Sequence, residues 1–318
     1  MGVSWAMQNV LVIGASGTQG RAQVRALGQA GYAVSVMSRR PEGLNFAGGP
    51  AAVRAIQGDL SQPAGLPAAV AGVDTVFLNL PSASFNPPED ILEGCRNLLG
   101  AAQVAGVQRI VFNASLYVGD APVGHVAHDN RLEIIHLLLS SGIPATAVCP
   151  VIFMENLLQD WALPQLLSRN CLWYPHGSAL PVSWITLDDV ARIMIRVARC
   201  DRAVGKRLVV GGPQALRGEE TAAALGRAWG RDIHFESRPL EDFADAMARL
   251  FAPDSAAGQS RIHADLLRVY RWYNERQPSP FTVDMSRFLA EYPMTLTSVE
   301  EWARQHNPFA TVHEGAST

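Results

Sequence analysis

Along the first half of the chain, short apolar runs alternate with stretches whose apolar residues recur at helical spacing. Residues 9–13 form an apolar run ending in glycine, the pattern of a strand buried on both faces. Residues 21–31 follow, with Val24 and Leu27 at helical spacing and a glycine placed to cap the C-terminus. The same reading gives strands at 32–38, 53–56, 74–80, 109–113 and 145–150, and helices at 66–71, 90–105 and 130–140. Strands alternating with helices at this pace predict a parallel sheet with right-handed crossovers.

Beyond about residue 150 the rhythm breaks. Residues 153–167 read as helix, 170–181 as a loop rich in aromatics, 188–198 as helix and 206–210 as a further strand of the main sheet. Helices at 219–229, 241–251, 262–274 and 298–305 accompany one strand at 233–237. The expected fold is α/β: a doubly wound parallel sheet of the Rossmann type over residues 1–152, to which 182–212 return. Residues 153–181 and 213–318 form a smaller, mainly helical C-terminal lobe, expected to close over one end of the ligand cleft.

Composition narrows the class. A hydrophobic fraction of 48% supplies a core and argues against disorder, and a net charge of -3 offers no basic surface for nucleic acid. Cys95, Cys149, Cys171 and Cys200 are scattered without a CxxC pair, which reads as reduced thiols and no metal site. No basic segment followed by an apolar stretch opens the chain, and no run reaches the ~20 apolar residues of a membrane span. We expect a soluble cytoplasmic protein, monomeric or homodimeric, without a membrane partner.

The most informative segment is Gly14-Ala15-Ser16-Gly17-Thr18-Gln19-Gly20, lying between the first strand and the first helix. The first glycine permits a tight turn, the second lets backbone N–H groups approach a pyrophosphate, and the third lets helix and strand pack closely. Ser16, Thr18 and Gln19 lie in the same phosphate-facing loop. A carboxylate about 20 residues further on would bind a ribose 2′-hydroxyl and repel a 2′-phosphate. Here no acidic residue precedes Glu42, and Ser38-Arg39-Arg40 takes that place. Arginine offers a fork for phosphate, so Arg39 and Arg40 favour NADP(H) over NAD(H); a solvated arginine pair is the alternative. Asp59, followed by Leu60, meets the adenine side or caps a turn.

The carboxyl ends of the fourth and fifth strands, Asn79-Leu80-Pro81 and Asn113-Ala114-Ser115, should border the nicotinamide, although a serine there also serves as a turn residue. Short-chain reductases place a tyrosine roughly a dozen residues after such a serine and a lysine one helical turn later, and the pair delivers a proton. Ala127 and Arg131 stand at those places, and the only lysine in the chain is Lys206. Arginine holds ribose or phosphate but donates no proton near neutral pH. The remaining candidate proton donors are His128, Tyr117 and Tyr174, with Ser115 a catalytic candidate lining the nicotinamide; a bound water, or a substrate that accepts hydride without a paired protein acid, would also serve, and for His128 the alternative is a solvated or capping histidine at a helix start.

In order, the segments VLVIGASGTQG, VMSRRP, GDLSQP, GVDTVFLNLP, AGVQRIVFNAS, SSGIPATAVCPVIFMENLL, WITLDDVA, GKRLVVGG and LTSVEEWARQ run through nearly the whole length. With them the chain resembles the NmrA-like branch of atypical short-chain dehydrogenases. The resemblance implies that Pro150 to Asn156 border the nicotinamide and substrate, with Pro150 and Phe153 toward the cofactor and Met154 and Asn156 toward the substrate. Asn113, Trp161 and Tyr174 complete the expected pocket, with Trp173 and Trp184 as further apolar walls. Many members carry a lysine where this chain has Arg131. The resemblance implies one of two functions. One is an NADPH-dependent reductase of a small, mostly apolar acceptor such as a quinone, enone, imine or dye. The other is a non-catalytic NADP(H) sensor acting through a protein partner.

Overall fold

A computed structural model describes residues 7–46, 49 and 53–310. Its elements begin with β1 (Asn9–Ile13), α1 (Thr18–Gln29), β2 (Ala33–Ser38), β3 (Val53–Gln57), α2 (Leu66–Val70), β4 (Thr75–Asn79) and α3 (Pro88–Ala105). They continue with β5 (Arg109–Asn113), α4 (Val126–Leu139), β6 (Ala145–Pro150), α5 (Leu163–Arg169), β7 (Cys171–Tyr174), α6 (Leu187–Ala198) and β8 (Arg207–Val210). The last are α7 (Gly218–Trp229), β9 (His234–Ser237), α8 (Leu240–Phe251), α9 (Ala256–Glu275), α10 (Ser286–Glu291) and α11 (Val299–Gln305). They fall into two units: the chain up to Pro150 with Leu187–Val209, and Val151–Thr186 with Val210 onward. Among the described residues no helix is long and apolar enough to cross a membrane.

The first unit is built on a seven-stranded sheet in the order β3-β2-β1-β4-β5-β6-β8. The pairs β1/β2, β1/β4, β2/β3, β4/β5 and β5/β6 are parallel. The strands are apolar on both faces because helices cover both: β5 is buried along its whole length, and so is all of β4 but Asn79. Val76, Leu78, Ile110, Phe112, Leu98 and Ile134 are inaccessible to water and form one continuous core. Each such side chain contributes about 1.5–3 kcal/mol on burial. The one charge threaded through β5, Arg109, is held in the interior through Nη2, which donates to Thr146 Oγ1 at 2.8 Å and to the Val197 carbonyl at 2.9 Å. Strand order reverses between β1 and β4, the switch point at which open sheets of this kind leave a crevice.

The second unit holds a separate two-stranded parallel sheet, β7–β9, with the packed helix pair α8 and α9 and the pair α7 and α11. Trp302 on α11 is buried, and Trp229 on α7 donates its indole N–H to the Ala303 carbonyl at 2.8 Å. Ser298 opens α11 with a capping box, its hydroxyl accepting from the Glu301 amide.

The strands and most helices of the first unit lie where periodicity places them. The departures are local. Residues 153–167 are not one helix: a 3-10 turn, Met154–Leu158, stops at extended Gln159, and α5 starts afresh with a proline in its first turn. Residues 170–181 are not all loop, because Cys171–Tyr174 pairs with β9 as a strand. Helix α9 starts at Ala256, ahead of the expected residue 262, because Ser255 caps it by accepting from the Gly258 amide at 3.0 Å. Helix α10 is an addition to the expected elements.

Leu78→Ala should lower the stability of the sheet unit by about 2–5 kcal/mol, the range for emptying a fully packed aliphatic site. Guanidinium denaturation followed by circular dichroism measures it, and a loss under about 1 kcal/mol would show that the core closes over the gap.

Candidate functional site

The glycine loop begins where β1 ends. Gly14 has φ +74°, and a Cβ placed on it would lie 2.9 Å from the Asn79 carbonyl oxygen. A Cβ on Gly20 would lie 2.4 Å from the Gly14 carbonyl oxygen, so the first turn of α1 presses against the loop backbone. Gly17 is different: a Cβ there would have its nearest neighbour 3.6 Å away, so the protein's own packing does not demand glycine. What glycine provides at position 17 is open space above the amides. Gly17 is also the N-cap of α1, no side chain caps that end, and the first turn holds no acidic residue. The free N–H groups and positive end of the helix dipole therefore face the loop unneutralised, which favours an anion.

From this loop a cleft of about 580 Å³ runs across the carboxyl edge of the sheet. Its described lining includes the glycine loop itself (Gly14, Ser16, Gly17, Thr18, Gln19 and Gly20). It continues over Ser38 and Arg39, over Asp59 and Leu60, over Asn79, Leu80 and Pro81, and reaches Ser115. The size suits a dinucleotide-scale ligand. Ser38 turns the chain at the end of β2, its hydroxyl accepting from the Arg40 amide at 3.2 Å. That turn leaves Arg39 on the cleft wall, while Arg40 is exposed and not part of the lining. Asp59 both lines the cleft and accepts from the Ser61 amide at 2.9 Å, so it serves the turn as well. Arg21 ties this end together: Nε donates to the Ser16 carbonyl at 3.0 Å and Nη1 to the Asn45 carbonyl at 2.5 Å.

Beneath the cleft lies a lattice of carboxamides. Sheet register places Asn79 beside Asn113 and Ile13 beside Leu78, which brings the three strand ends level. Asn79 donates to the Ile13 carbonyl at 2.8 Å and exchanges two 2.8 Å hydrogen bonds with Gln23 of α1. Asn113 donates to Asn79 Oδ1 at 3.1 Å and to Gln19 Oε1 at 2.6 Å. Ser115 Oγ donates to the same Gln19 oxygen at 2.9 Å, and the Ser115 amide donates to Asn113 Oδ1 at 3.0 Å. Ser115 holds φ +65°, a strained value for a non-glycine residue, and the surrounding hydrogen bonds keep it there. Gln23 is a site residue that the sequence does not signal: one glutamine among polar helix positions carries no local mark, and only its nearness to Asn79 gives it a role.

Besides Arg40 and Asn113, four expected site residues of the first unit stand outside the cleft lining. Arg131 is 1% exposed and does not line the cleft. Its Nε donates to the Ala114 carbonyl at 3.0 Å, and Nη2 donates to the carbonyls of Leu80 and Pro81 at 2.7 Å each. Those donors brace the ends of β4 and β5 from behind instead of reaching a ribose or phosphate. His128 is buried on α4 beside His125, their ring centroids 5.9 Å apart. Burial, reinforced by His125, pushes its pKa down from 6.5 to about 4, against the opposing pull of Asp129. At neutral pH it is an uncharged interior imidazole. Tyr117 is half-buried, with its hydroxyl toward Gly119, and Pro150 ends β6 in the interior; neither lines the cleft.

Phe153, Met154, Asn156, Trp161 and Tyr174 belong to the second unit. There Phe153 and Met154 are buried, and the Met154 amide donates to the Ile185 carbonyl at 2.9 Å. Tyr174 centres an aromatic cluster, with Trp161, His176 and Trp184 at centroid distances of 5.3, 4.8 and 5.2 Å. Its hydroxyl bonds to the Asn156 side chain, and burial raises its pKa well above the usual tyrosine value. His176 joins this cluster without a sequence signal, since nothing near it in the chain hints at burial; desolvation lowers its pKa to about 3.

The NmrA-like family model matches residues 6–303. An NAD(P)H azoreductase of Xenophilus azovorans is 32% identical over 254 residues, covering 78% of this chain and 83% of that protein. A (4-alkanoyl-5-oxo-2,5-dihydrofuran-3-yl)methyl phosphate reductase of Streptomyces griseus is 31% identical over 249 residues, again covering 78% and 83%. Among solved structures, an NADPH-dependent quinone oxidoreductase of Escherichia coli in complex with NADPH superposes with a TM-score of 0.70. That match is at 21% identity and covers 93% of this chain and 99% of the other.

The buried histidines predict acid sensitivity. An unfolded chain takes up a proton at His128 near pH 6.5, whereas the native state resists until about 4. Between those values the unfolded state binds more protons, so stability should be complete above pH ~6.5 and fall as pH drops toward ~4. His176 acts in the same direction. His128→Gln should flatten the acid side of a melting-temperature against pH profile; an unchanged slope would place the loss at other groups.

Proposed function

Because the chain belongs to the NmrA-like family, we propose that it is an NADPH-dependent reductase of a small, mostly apolar acceptor of the quinone, enone, imine or dye type. One observation carries the reading: a single cleft joins an uncapped, acid-free helix N-terminus at the glycine loop to Arg39 on one side and Ser115 on the other. The α1 amides would hold a pyrophosphate. Arg39 would meet a 2′-phosphate, and no carboxylate stands at the end of β2 to oppose it. Asn79, Leu80, Pro81 and Ser115 would border the nicotinamide, which supplies hydride when the cofactor is bound. The activities of the two bacterial reductases support a reductive chemistry of this kind.

A neutral acceptor also requires a proton. Arg131 has committed Nε and Nη2 to backbone carbonyls, and His128 is buried and neutral. Ser115 is the hydroxyl at the β5 end of the cleft, fixed by Gln19. We assign it the relay of a proton from solvent.

The deciding assay follows loss of reduced-nicotinamide absorbance with quinones, enones, imines and dyes after NADPH binding has been established by fluorescence. Turnover with one class names the acceptor. Tight binding without turnover across the panel reassigns the chain to cofactor sensing through a protein partner. Arg39→Ala should weaken NADPH binding by roughly 10- to 100-fold while leaving NADH nearly unchanged, the loss of a charge-assisted phosphate contact. Equal losses for both cofactors would remove Arg39 from the phosphate site.

A further inference from the structure

The β7–β9 pair carries a side-chain cluster in the second unit that the reductase reading does not use. Parallel register sets Cys171 beside His234 and Trp173 beside Glu236. The Cys171 sulfur, a ring nitrogen of His234 and a carboxylate oxygen of Glu236 lie within 4.8 Å of one another. His234 Nε2 is 3.4 Å from Glu236 Oε1, and the Cys171 thiol donates to the Glu236 carboxylate. Arg169, the last residue of α5, reaches the same Glu236 oxygen at 3.2 Å. Cys171 is buried, Glu236 half-buried and His234 exposed, so the cluster opens to solvent on one side.

We propose that Cys171, His234 and Glu236 bind a divalent ion of borderline softness, with zinc the ion this donor set fits. One thiolate and one carboxylate balance the two positive charges, and a neutral imidazole supplies the third donor. Bonds of about 2.0–2.3 Å set donors about 3.5 Å apart around a tetrahedral zinc. The His234–Glu236 spacing is already close to that value. Closing the rest takes side-chain rotations on the order of 1 Å, within the play of an exposed histidine and a half-buried glutamate. A solvent water completes the tetrahedron, and Arg169 remains on the carboxylate as the group that orients it. Binding releases the Cys171 proton to solvent, so affinity rises with pH.

The ion has a mechanical consequence. A two-stranded parallel sheet without a third strand is marginal by itself. A metal bridging Cys171 to His234 and Glu236 ties the two strands together at the start of β7, whose far end is Tyr174. There the Arg238 amide donates to the Tyr174 carbonyl at 2.8 Å. Metal occupancy thus stiffens the strand that presents the aromatic cluster.

The test uses the full-length chain stripped with a chelator, titrated with Zn²⁺ against a chromophoric competitor and with Co²⁺ for a thiolate-to-cobalt charge-transfer band. One ion per chain and a charge-transfer band are expected, together with a zinc-dependent rise in melting temperature. Cys171→Ser and His234→Ala should each weaken zinc by roughly 10- to 100-fold or more and abolish the thermal shift. Cys171 is buried and its serine variant risks misfolding, whereas His234 is exposed, so His234→Ala keeps the test decisive; circular dichroism verifies both folds. Absence of uptake by the unmodified chain, equal affinity in His234→Ala, or a cobalt complex without the thiolate band would overturn the site.

Discussion

The contact on which the cleft depends is the close approach of the glycine loop to the end of β4. Gly14 has no Cβ to keep it away from the Asn79 carbonyl, and the Asn79 side chain reaches back to the Ile13 carbonyl. Asn79 therefore stitches β1 to β4 at the switch point, and its reciprocal pair with Gln23 fixes the first turns of α1 in the same frame. Through Asn113 and Gln19 the frame extends to Ser115. An amide lattice of this kind is neutral, so it orders strand ends, glycine loop and helix without adding charge beside an anion site. The field of the α1 N-terminus reaches the cleft undiminished.

Burial then decides which ionisable groups take part. Arg131 occupies the place where a lysine would be expected to do chemistry, yet its fork is enclosed and spent on three carbonyls. Enclosure of a guanidinium is costly unless its N–H groups find acceptors, and backbone carbonyls at two strand ends accept from Nε and Nη2 at the positions that shape the cleft wall. His128 shows the same force from the other side: an interior imidazole gives up its charge, and with it the ability to act as an acid at neutral pH.

Much of the sheet unit is legible in the chain because local patterns carry it. Apolar runs bounded by glycine set the strands, and helical spacing sets most of the helices. The glycine loop is legible for a similar reason, since strand, turn and helix follow one another without interruption. The second unit is less so. β7 is four residues long, and its only strand partner among the described residues is β9, some sixty residues later, so nothing local distinguishes Cys171–Tyr174 from a loop. The split of 153–167 into two short helices depends on extended Gln159 and on Pro164, details that helical periodicity overlooks.

The amino-acid sequence by itself determined the sheet's alternation, the anion-binding loop and the missing carboxylate after β2, because each is encoded by neighbours along the chain. Only the tertiary structure decided that Gln23 joins the cleft floor, that Arg131 braces the ends of β4 and β5, that His128 is buried on α4, and that Cys171 meets His234. These outcomes depend on which strand lies beside which, and on how far each charge sits from water. Such quantities arise from packing between residues distant in sequence, where a side chain's identity says what it can do but not what it will face.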